Sequence, residues 1–293
     1  MTETAFAGLR CPHCHGGPLD DRNCRACGRP IRIEHGVPIL VREWAPLQEQ
    51  IDAATRVRPN WYLEEQPPEQ ASPWRHHLRK RREYVQRVLT SHLRRLGDGK
   101  ARRLLDLGCG DGNNLTWLSG FVEHVYGSDY NLVRLVRAKA QNPGATIFAA
   151  DILDFPAEDE AFDVIFFNHV IEHIKDDVAA LRSARRLLKR GGLLIVGTPN
   201  EGAWWWQWAY RRDPSSLATT DHVHFYTGET IAERMRAAGL SVLDTHYMGW
   251  GPPDWRLDGR IRKYKFVDDA FTLIGRTFLP RQASSLYLLA TTT

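Results

Sequence analysis

The chain has 293 residues, 43% hydrophobic and 25% charged, which is enough apolar material for one full domain plus an appendage and excludes global disorder. Lysine and arginine number 39 against 35 aspartate and glutamate, and this formal charge of +4 is too small to mark a nucleic-acid binder by totals alone. No apolar run approaches the roughly 18 residues that a membrane span needs, and the opening MTETAFAGLR carries neither a basic leader region nor an apolar one. The expectation is a soluble cytoplasmic protein without a transmembrane segment.

Four of the five cysteines form two C-x-x-C pairs, Cys11 with Cys14 and Cys24 with Cys27, with nine residues between them. Each pair makes a tight turn that aims two thiolates at one point, so together they predict a tetrahedral structural zinc site. A redox pair or unliganded thiols are the alternative. Residues 1–42 then read as a zinc ribbon ending in a short strand at 37–41, stapled by its metal because so short a piece buries no core of its own. Residues 43–100 read as a linker with some helix, followed by a basic helix from 74 to 96 with Leu78, Val85, Val88, Leu89, His92 and Leu96 on one face. Between Arg75 and Arg103 stand eleven lysines and arginines against Glu83 and Asp98. Such a run suits RNA, an anionic acceptor or an acidic lipid surface, or is simply a solvated face; no aromatic residues alternate with it as a base-stacking platform prefers.

From residue 101 to 293 strands and helices alternate, which predicts an α/β fold with a mainly parallel, doubly wound sheet. Strands fall at 103–107, 124–128, 146–150, 162–168 and 193–198, with the last two at 241–247 and 285–290. A helix before the fifth strand starts at Asp176 as N-cap and closes at Gly191 and Gly192. Another spans 231–238 and ends at Gly239.

The first strand runs into Asp106-Leu107-Gly108-Cys109-Gly110-Asp111-Gly112. Alternate glycines let a loop turn sharply and press its backbone against a ligand at the strand's carboxyl end. A dinucleotide fingerprint would need glycine at position 113, where Asn113 stands, so the spacing points away from NAD. Asp129 ends the second strand, where a carboxylate can accept both hydroxyls of a ribose. Asp151 follows the third, where it can accept from the exocyclic amine of adenine.

DLGCGDG, GSDY, AADI, FDVIFFNHVIEHI and LLKRGGLLIVGTPN, in this order, resemble successive motifs of the class I S-adenosylmethionine-dependent methyltransferases. The resemblance covers residues 100–293 and is similar to the small-molecule branch that includes ubiquinone-biosynthesis O-methyltransferases. It implies a Rossmann-like seven-stranded sheet of order 3-2-1-4-5-7-6 with the seventh strand antiparallel. It also implies that Gly108, Gly110 and Gly112 line the methionine half of S-adenosylmethionine while Asp106 holds its amino group. Asp129 would bind the ribose with Tyr130 beside it, Asp151 and Ile152 would meet adenine, and Asn168 would end the fourth strand near the sulfonium. Cys109 reads as a small buried residue.

Methyl transfer to a hydroxyl gains from a base, and His169, His173, His222 and His224 are the candidates by intrinsic pKa; His169, His173 and His222 are carried as catalytic. His169-Val-Ile-Glu172-His173 also fits the pattern of an inverted zinc peptidase, but that needs mid-helix placement and here it follows a buried strand. The same residues, with His222 or His224, form a candidate set for a second divalent metal, against simple hydrogen bonding among themselves. Trp204, Trp205, Trp206 and Trp208 read as an acceptor-pocket border, as packing of a short helix, or as a membrane-surface contact. The expected reaction is methylation of a phenolic, sugar or lipid-linked small molecule. The rivals are an RNA methyltransferase, since some rRNA enzymes carry a zinc ribbon before this fold, and a non-catalytic cofactor-binding scaffold.

Overall fold

The computed structural model describes residues 6–20, 23–97 and 101–292. Residues 1–5 of the expected ribbon, and the end of the basic run at 98–100, lie outside the described residues.

The N-terminal region gives a hairpin of β1 (Arg32–Glu34) and β2 (Val37–Ile39), then α1 (Trp44–Val57), the short α2 (Pro59–Leu63) and the long α3 (Arg75–Leu96). The alternating region follows as β3 (Ala101–Leu107), α4 (Leu115–Leu118), β4 (Val122–Asp129), α5 (Leu132–Gln141), β5 (Thr146–Ala149), β6 (Phe162–Asn168), α6 (Asp177–Leu187) and β7 (Leu188–Pro199). The last third holds α7 (Trp204–Arg212), α8 (Gly228–Ala237), β8 (Ser241–Met248), α9 (Trp255–Ile261), α10 (Lys265–Phe278) and β9 (Ser285–Thr291).

Period-two alternation builds the sheet and its two covering layers. Leu105, Ile165, Leu194 and Leu288 point to one face, where α6 and α8 supply Leu181, Leu187, Ile231 and Met235. Leu104, Val164, Ile195 and Tyr287 point to the other, against Val85 and Leu89 of α3 and Leu135 of α5. The strands run in the order β1-β2-β5-β4-β3-β6-β7-β9-β8. Pairing from β2 across to β7 is parallel, while β9 is antiparallel to both neighbours. The seven strands from β3 to β9 reproduce the expected class I order, reversing direction at β3 and β6, where ligands bind beyond the carboxyl ends of such sheets.

The sheet has nine strands instead of seven, because both strands of the N-terminal hairpin, β1 and β2, join it at β5. Ile39 pairs with Ala149, and the Leu40 amide donates to the Ala149 carbonyl at 2.8 Å. The ribbon is tied in a second place, where the Arg10 amide donates to Pro156 and the Glu158 amide to Gly8, each at 2.8 Å. Cys11, Leu19 and Cys24 thereby share the core of the main sheet.

Asp176 caps α6 as expected, its Oδ1 accepting from the Ala179 amide at 2.9 Å. The helix stops at Leu187, short of Gly191 and Gly192, because Leu188 is buried as a strand residue opposite Phe162. The two glycines lie inside β7 near a register shift; a Cβ on Gly192 would meet the Asp163 carbonyl at 2.8 Å.

Helices α9 and α10 have no counterpart in the sequence reading. They hang on a buried ion network in which Arg262 donates to Asp268 Oδ1 from Nε at 2.9 Å and Nη2 at 2.7 Å, and to Asp258 from Nη1 at 3.3 Å. Lys80 of α3 adds a contact of 2.6 Å to Asp268, and the Trp74 indole donates to Asp258 at 2.7 Å. Removing one partner leaves a charge buried and uncompensated, so Asp268→Ala is expected to lower stability by about 3–5 kcal/mol in urea unfolding, and Arg262→Met with both Asp258→Leu and Asp268→Leu by much less. Equal losses in the two variants would show that the network is not what holds these helices.

Candidate active site

The carboxyl edge of β3, β4 and β6 gathers the residues singled out by sequence. Gly108, Gly110 and Gly112 have φ of +82°, +53° and +79°, the left-handed region that glycine enters without strain. Space forbids a side chain as well: a Cβ on Gly108 would stand 2.4 Å from Val170, and one on Gly110 2.3 Å from the Arg134 guanidinium. The loop is pinned to β4, since the amides of Gly108 and Cys109 donate to the Ser128 carbonyl at 2.8 and 2.9 Å. Asp129 Oδ2 accepts from the Gly110 amide and Oδ1 from the Asn131 amide, both at 2.9 Å.

Asp106 is fully buried, and its Oδ2 has no hydrogen-bond partner. Burial first, then the charge of Asp129, pushes its carboxyl up to about 8. Such a group lacks a cation. Tyr130 sits beside Asp129 with its phenol pushed up to about 12 by burial and then by that carboxylate. Across the edge, Asp151 Oδ1 accepts from the Leu153 amide at 2.9 Å, and Ile152 packs on the core. Asn168 Oδ1 accepts from the Tyr287 hydroxyl at 3.0 Å and from Arg81 at 3.3 Å.

A strap crosses this edge from the segment read as a linker. Asn131 donates to the Tyr62 carbonyl at 3.4 Å, Arg137 to the Leu63 carbonyl at 2.9 Å, and the Gln66 amide to Asp111 at 3.3 Å. Asp111, itself buried, is gripped by Arg137 from Nε and Nη2 at 2.9 Å each. Sequence reasoning assigned Asp111 no role, although it lies in the glycine motif.

Beyond β6 the chain makes a single tight turn, Ile171–His173, in place of a helix. His169 enters it with φ of +56°, its Nδ1 3.4 Å from Glu172 Oε1. Burial and then Arg81 push His169 down to about 4, so it stays neutral near pH 7. Glu172 is fully buried and accepts from the Thr198 hydroxyl at 3.2 Å; burial raises its pKa, but His169, His173 and His222 outweigh that and hold it low. His173 Nδ1 stands 3.2 Å from Asp221 Oδ2, and His222 Nδ1 2.5 Å from Glu201 Oε2. With Nδ1 of each ring engaged by a carboxylate, Nε2 is the nitrogen left for a substrate or metal.

Glu172, His173 and His222 bring ligand atoms within 4.8 Å of one another, the one such group besides the four cysteines among the described residues. His169 stands outside this set, and His224 is drawn away by hydrogen bonds from Nε2 to the carbonyls of Ile174 and Lys175 at 3.0 and 3.1 Å. Asp221 is the hub that sequence reasoning missed. It accepts from Arg58 at 3.1 Å and from the Tyr62 hydroxyl, so the strap reaches the histidines as well as the glycine loop. Only the adjacency of Asp221 to His222 hinted at it.

Cys11 and Cys27 sulfurs lie 3.8 Å apart and Cys14 and Cys24 3.6 Å apart, all as thiols. Part of the basic helix is spent on internal contacts, Lys80 on Asp268, Arg81 on Asn168 and Tyr287, and Arg82 on Glu69, whereas Arg87, Arg94 and Arg95 are exposed. Of the tryptophan cluster, Trp206 is buried against Tyr210, whereas Trp204 and Trp208 are exposed.

Residues 78–245 match the family described as a methyltransferase domain. The ubiquinone biosynthesis O-methyltransferase of Cereibacter sphaeroides is 32% identical over an alignment of 167 residues that covers 52% of this chain and 66% of that one, just under two thirds of its length. Two solved structures share the fold. The N-methyltransferase NodS of Bradyrhizobium japonicum in complex with S-adenosyl-L-homocysteine has a TM-score of 0.51 at 17% identity, over 84% of this chain and 98% of that one. Geranyl diphosphate methyltransferase in complex with GPP and sinefungin has a TM-score of 0.52 at 16% identity, over 73% and 77%.

Burial lowers the pKa of His173, but the Asp221 contact and the charges of Glu172 and Asp221 outweigh it and raise the net value above the ordinary 6.5. Asp221 moves the other way: burial raises it, but His173, Tyr62 and Arg58 hold it well below the usual 3.8. The His173 contribution to stability is therefore full below pH 6.5 and lost as pH rises through its folded value. That of Asp221 is present above 3.8 and lost as pH falls through its folded value, so the pair helps most between those limits. In Asp221→Asn, an NMR titration is expected to find His173 below 6.5, because burial then dominates. An unchanged value would show that Asp221 does not set it.

Proposed function

This chain belongs to the methyltransferase-domain family, and from that premise we propose that it moves the methyl group of S-adenosylmethionine to a small-molecule acceptor, phenolic, sugar or lipid-linked. The observation that carries the reading is the unpartnered Oδ2 of buried Asp106, a carboxyl raised to about 8 beside a loop of left-handed glycines. An ammonium group there would return Asp106 to its charged form and satisfy the orphaned oxygen, so the residues present fit the cofactor. Asp129 would hold the ribose, with Tyr130 beside it; Asp151 and Ile152 would border adenine, and Asn168 would stand near the sulfonium.

When bound, S-adenosylmethionine supplies an electrophilic methyl group on a sulfonium. The work of the chain is then to align an acceptor oxygen in line with that methyl and to exclude water, which the strap over the edge is shaped to do. His173 would take the acceptor's proton at Nε2, its charged form stabilised by Asp221 3.2 Å from Nδ1. His222, oriented by Glu201, is placed to share that role, and His169, neutral and buried, to position Glu172. The ubiquinone-biosynthesis relative, itself an O-methyltransferase, supports a hydroxyl acceptor. An RNA acceptor would lose Lys80, Arg81 and Arg82 of α3, which are engaged inside the protein, and would have Arg87, Arg94 and Arg95 of its exposed face to grip phosphates.

The test is incubation with methyl-labelled S-adenosylmethionine and a panel of catechols, prenylated phenols, sugars and total RNA. Label is expected in a hydroxylated small molecule, and Asp129→Ala is expected to weaken cofactor binding by about 1.5–3 kcal/mol in calorimetry. Label in RNA alone, or unchanged affinity in the variant, would overturn the acceptor class or the ribose assignment respectively.

Two metal sites belong to the same reading. A tetrahedron with zinc–sulfur bonds of about 2.3 Å has edges of about 3.8 Å, which the cysteine spacings match, so Cys11, Cys14, Cys24 and Cys27 would hold a structural zinc. In the alternative to proton transfer, with Nε2 of both rings given to a metal in place of the acceptor's proton, Glu172, His173 and His222 would hold a second divalent ion against the acceptor oxygen, favoured by carboxylates that orient both rings. Two C-x-x-C pairs spaced as metal ligands suit a reducing compartment such as the cytoplasm. Metal analysis is expected to find a tightly held zinc that is lost in Cys11→Ser with Cys24→Ser, and a weaker ion that is lost in His173→Ala with His222→Ala. Zinc retained in the first variant, or a metal content unchanged in the second, would remove the corresponding site.

A further inference from the structure

Helix α10 buries its polar side and exposes its apolar one. Asp268 is fully buried against Arg262 and Lys80, and Gly275 lies so close to Trp250 that a Cβ would stand 2.0 Å from its ring. On the outward side Phe266, Leu273 and Phe278 are 73%, 70% and 74% exposed, and Ile274 lies beside them. These positions fall at i, i+7, i+8 and i+12, one stripe along the helix. A stripe of this kind on an otherwise well-packed protein marks a surface that something covers.

Charge indicates what covers it. Arg260, Lys263, Lys265 and Arg276 are exposed around the stripe. Of the acidic residues nearby, Asp258 and Asp268 are buried with Arg262, Asp269 offsets Lys80 and Lys265, and Asp254 stays exposed where it caps α9, so the positive excess of the rim comes from Arg260, Lys263 and Arg276. The face is therefore apolar with a cationic rim. A two-fold pairing with a second copy would set that rim against itself. Apolar side chains that enter the headgroup boundary, flanked by cations that meet phosphates, suit an anionic bilayer.

Position agrees. Strand β8 ends, and antiparallel β9 begins, at the edge where β3 and β4 deliver Asp106 and Asp129, so α9 and α10 stand on the site's side of the sheet. The neighbouring start of α7, tied to the end of this excursion by the Trp205 amide donating to Gln282 at 3.2 Å, exposes Trp204, a residue type that prefers membrane interfaces. We propose that the outward face of α10 docks the protein on anionic phospholipid bilayers. Docking does not depend on methyl transfer; it would turn the active-site edge toward a lipid-linked acceptor if the proposed function holds.

The experiment is co-sedimentation of the full chain with vesicles of phosphatidylcholine alone and of phosphatidylcholine mixed with phosphatidylglycerol. Binding is expected to the mixed vesicles, to fall with added salt, and to weaken at least about tenfold in Lys263→Glu with Arg276→Glu. Phe266→Ser with Leu273→Ser is expected to weaken it similarly, and since both side chains are exposed, circular dichroism should show an unchanged fold. Equal binding to both vesicle types, binding unaffected by either variant, or a dimer in light scattering that the serine variant dissolves would overturn the proposal. The last result would assign the face to a second copy.

Discussion

A carboxylate buried at the end of a central strand, with one oxygen unsatisfied, is the constraint around which this molecule is arranged. Asp106 lies where the parallel sheet reverses its winding, and burial there opposes ionisation. The surroundings relieve this only in part. Asp129, whose charge acts on it, has the same sign, and its own oxygens are turned to the amides of Gly110 and Asn131. What is missing is a cation at one defined spot, next to backbone that only glycine can follow. A buried carboxyl oxygen is thus left without a partner at a single residue, a cost that functional sites commonly carry.

The second half of the site is joined to the first by a segment outside the methyltransferase-domain match. Residues 58–66 touch Asp221 at one end and Asn131 and Asp111 at the other. A displacement of this strap would change the partners of Asp221 and, through it, the proton affinity of His173. The glycine-loop edge and the histidine cluster therefore share one mechanical element, while Glu172 ties the histidine turn to the 223–224 backbone by accepting both amides on its carbonyl, at 2.8 and 3.2 Å.

Much of the sheet was legible in the sequence because strands buried on both faces are nearly continuous apolar runs and their ends carry glycine or acidic residues. The strand at 162–168 was placed residue for residue, and the Asp176 cap fell where expected. The glycine pair at 191–192 misled, since a helix-stop signal and a strand irregularity look alike until Leu188 is seen opposite Phe162. Helix α10 was invisible for a deeper reason: its apolar stripe faces outward and its core side is an ion network, whose partners on α3 are distant in sequence. The histidine candidates were legible as residue types, but the carboxylates that orient them were not. Asp221 and Glu201 gain meaning only when loops far apart in the chain meet.

The junction of β2 with β5 has a consequence for the whole sheet. Left bare, β5 would be a parallel edge strand offering unpaired amides and carbonyls to any other extended chain. The N-terminal region covers it with a short, twisted hairpin whose anchor is the cysteine-bearing knuckle packed into the same core. The knuckle thus serves as a stopper on a sheet that would otherwise invite polymerisation, and loosening it, for example by oxidation of the thiols, would be felt as aggregation and in the adjoining 151–154 loop, where His15 and Arg42 reach Asp154 at 3.5 and 3.7 Å.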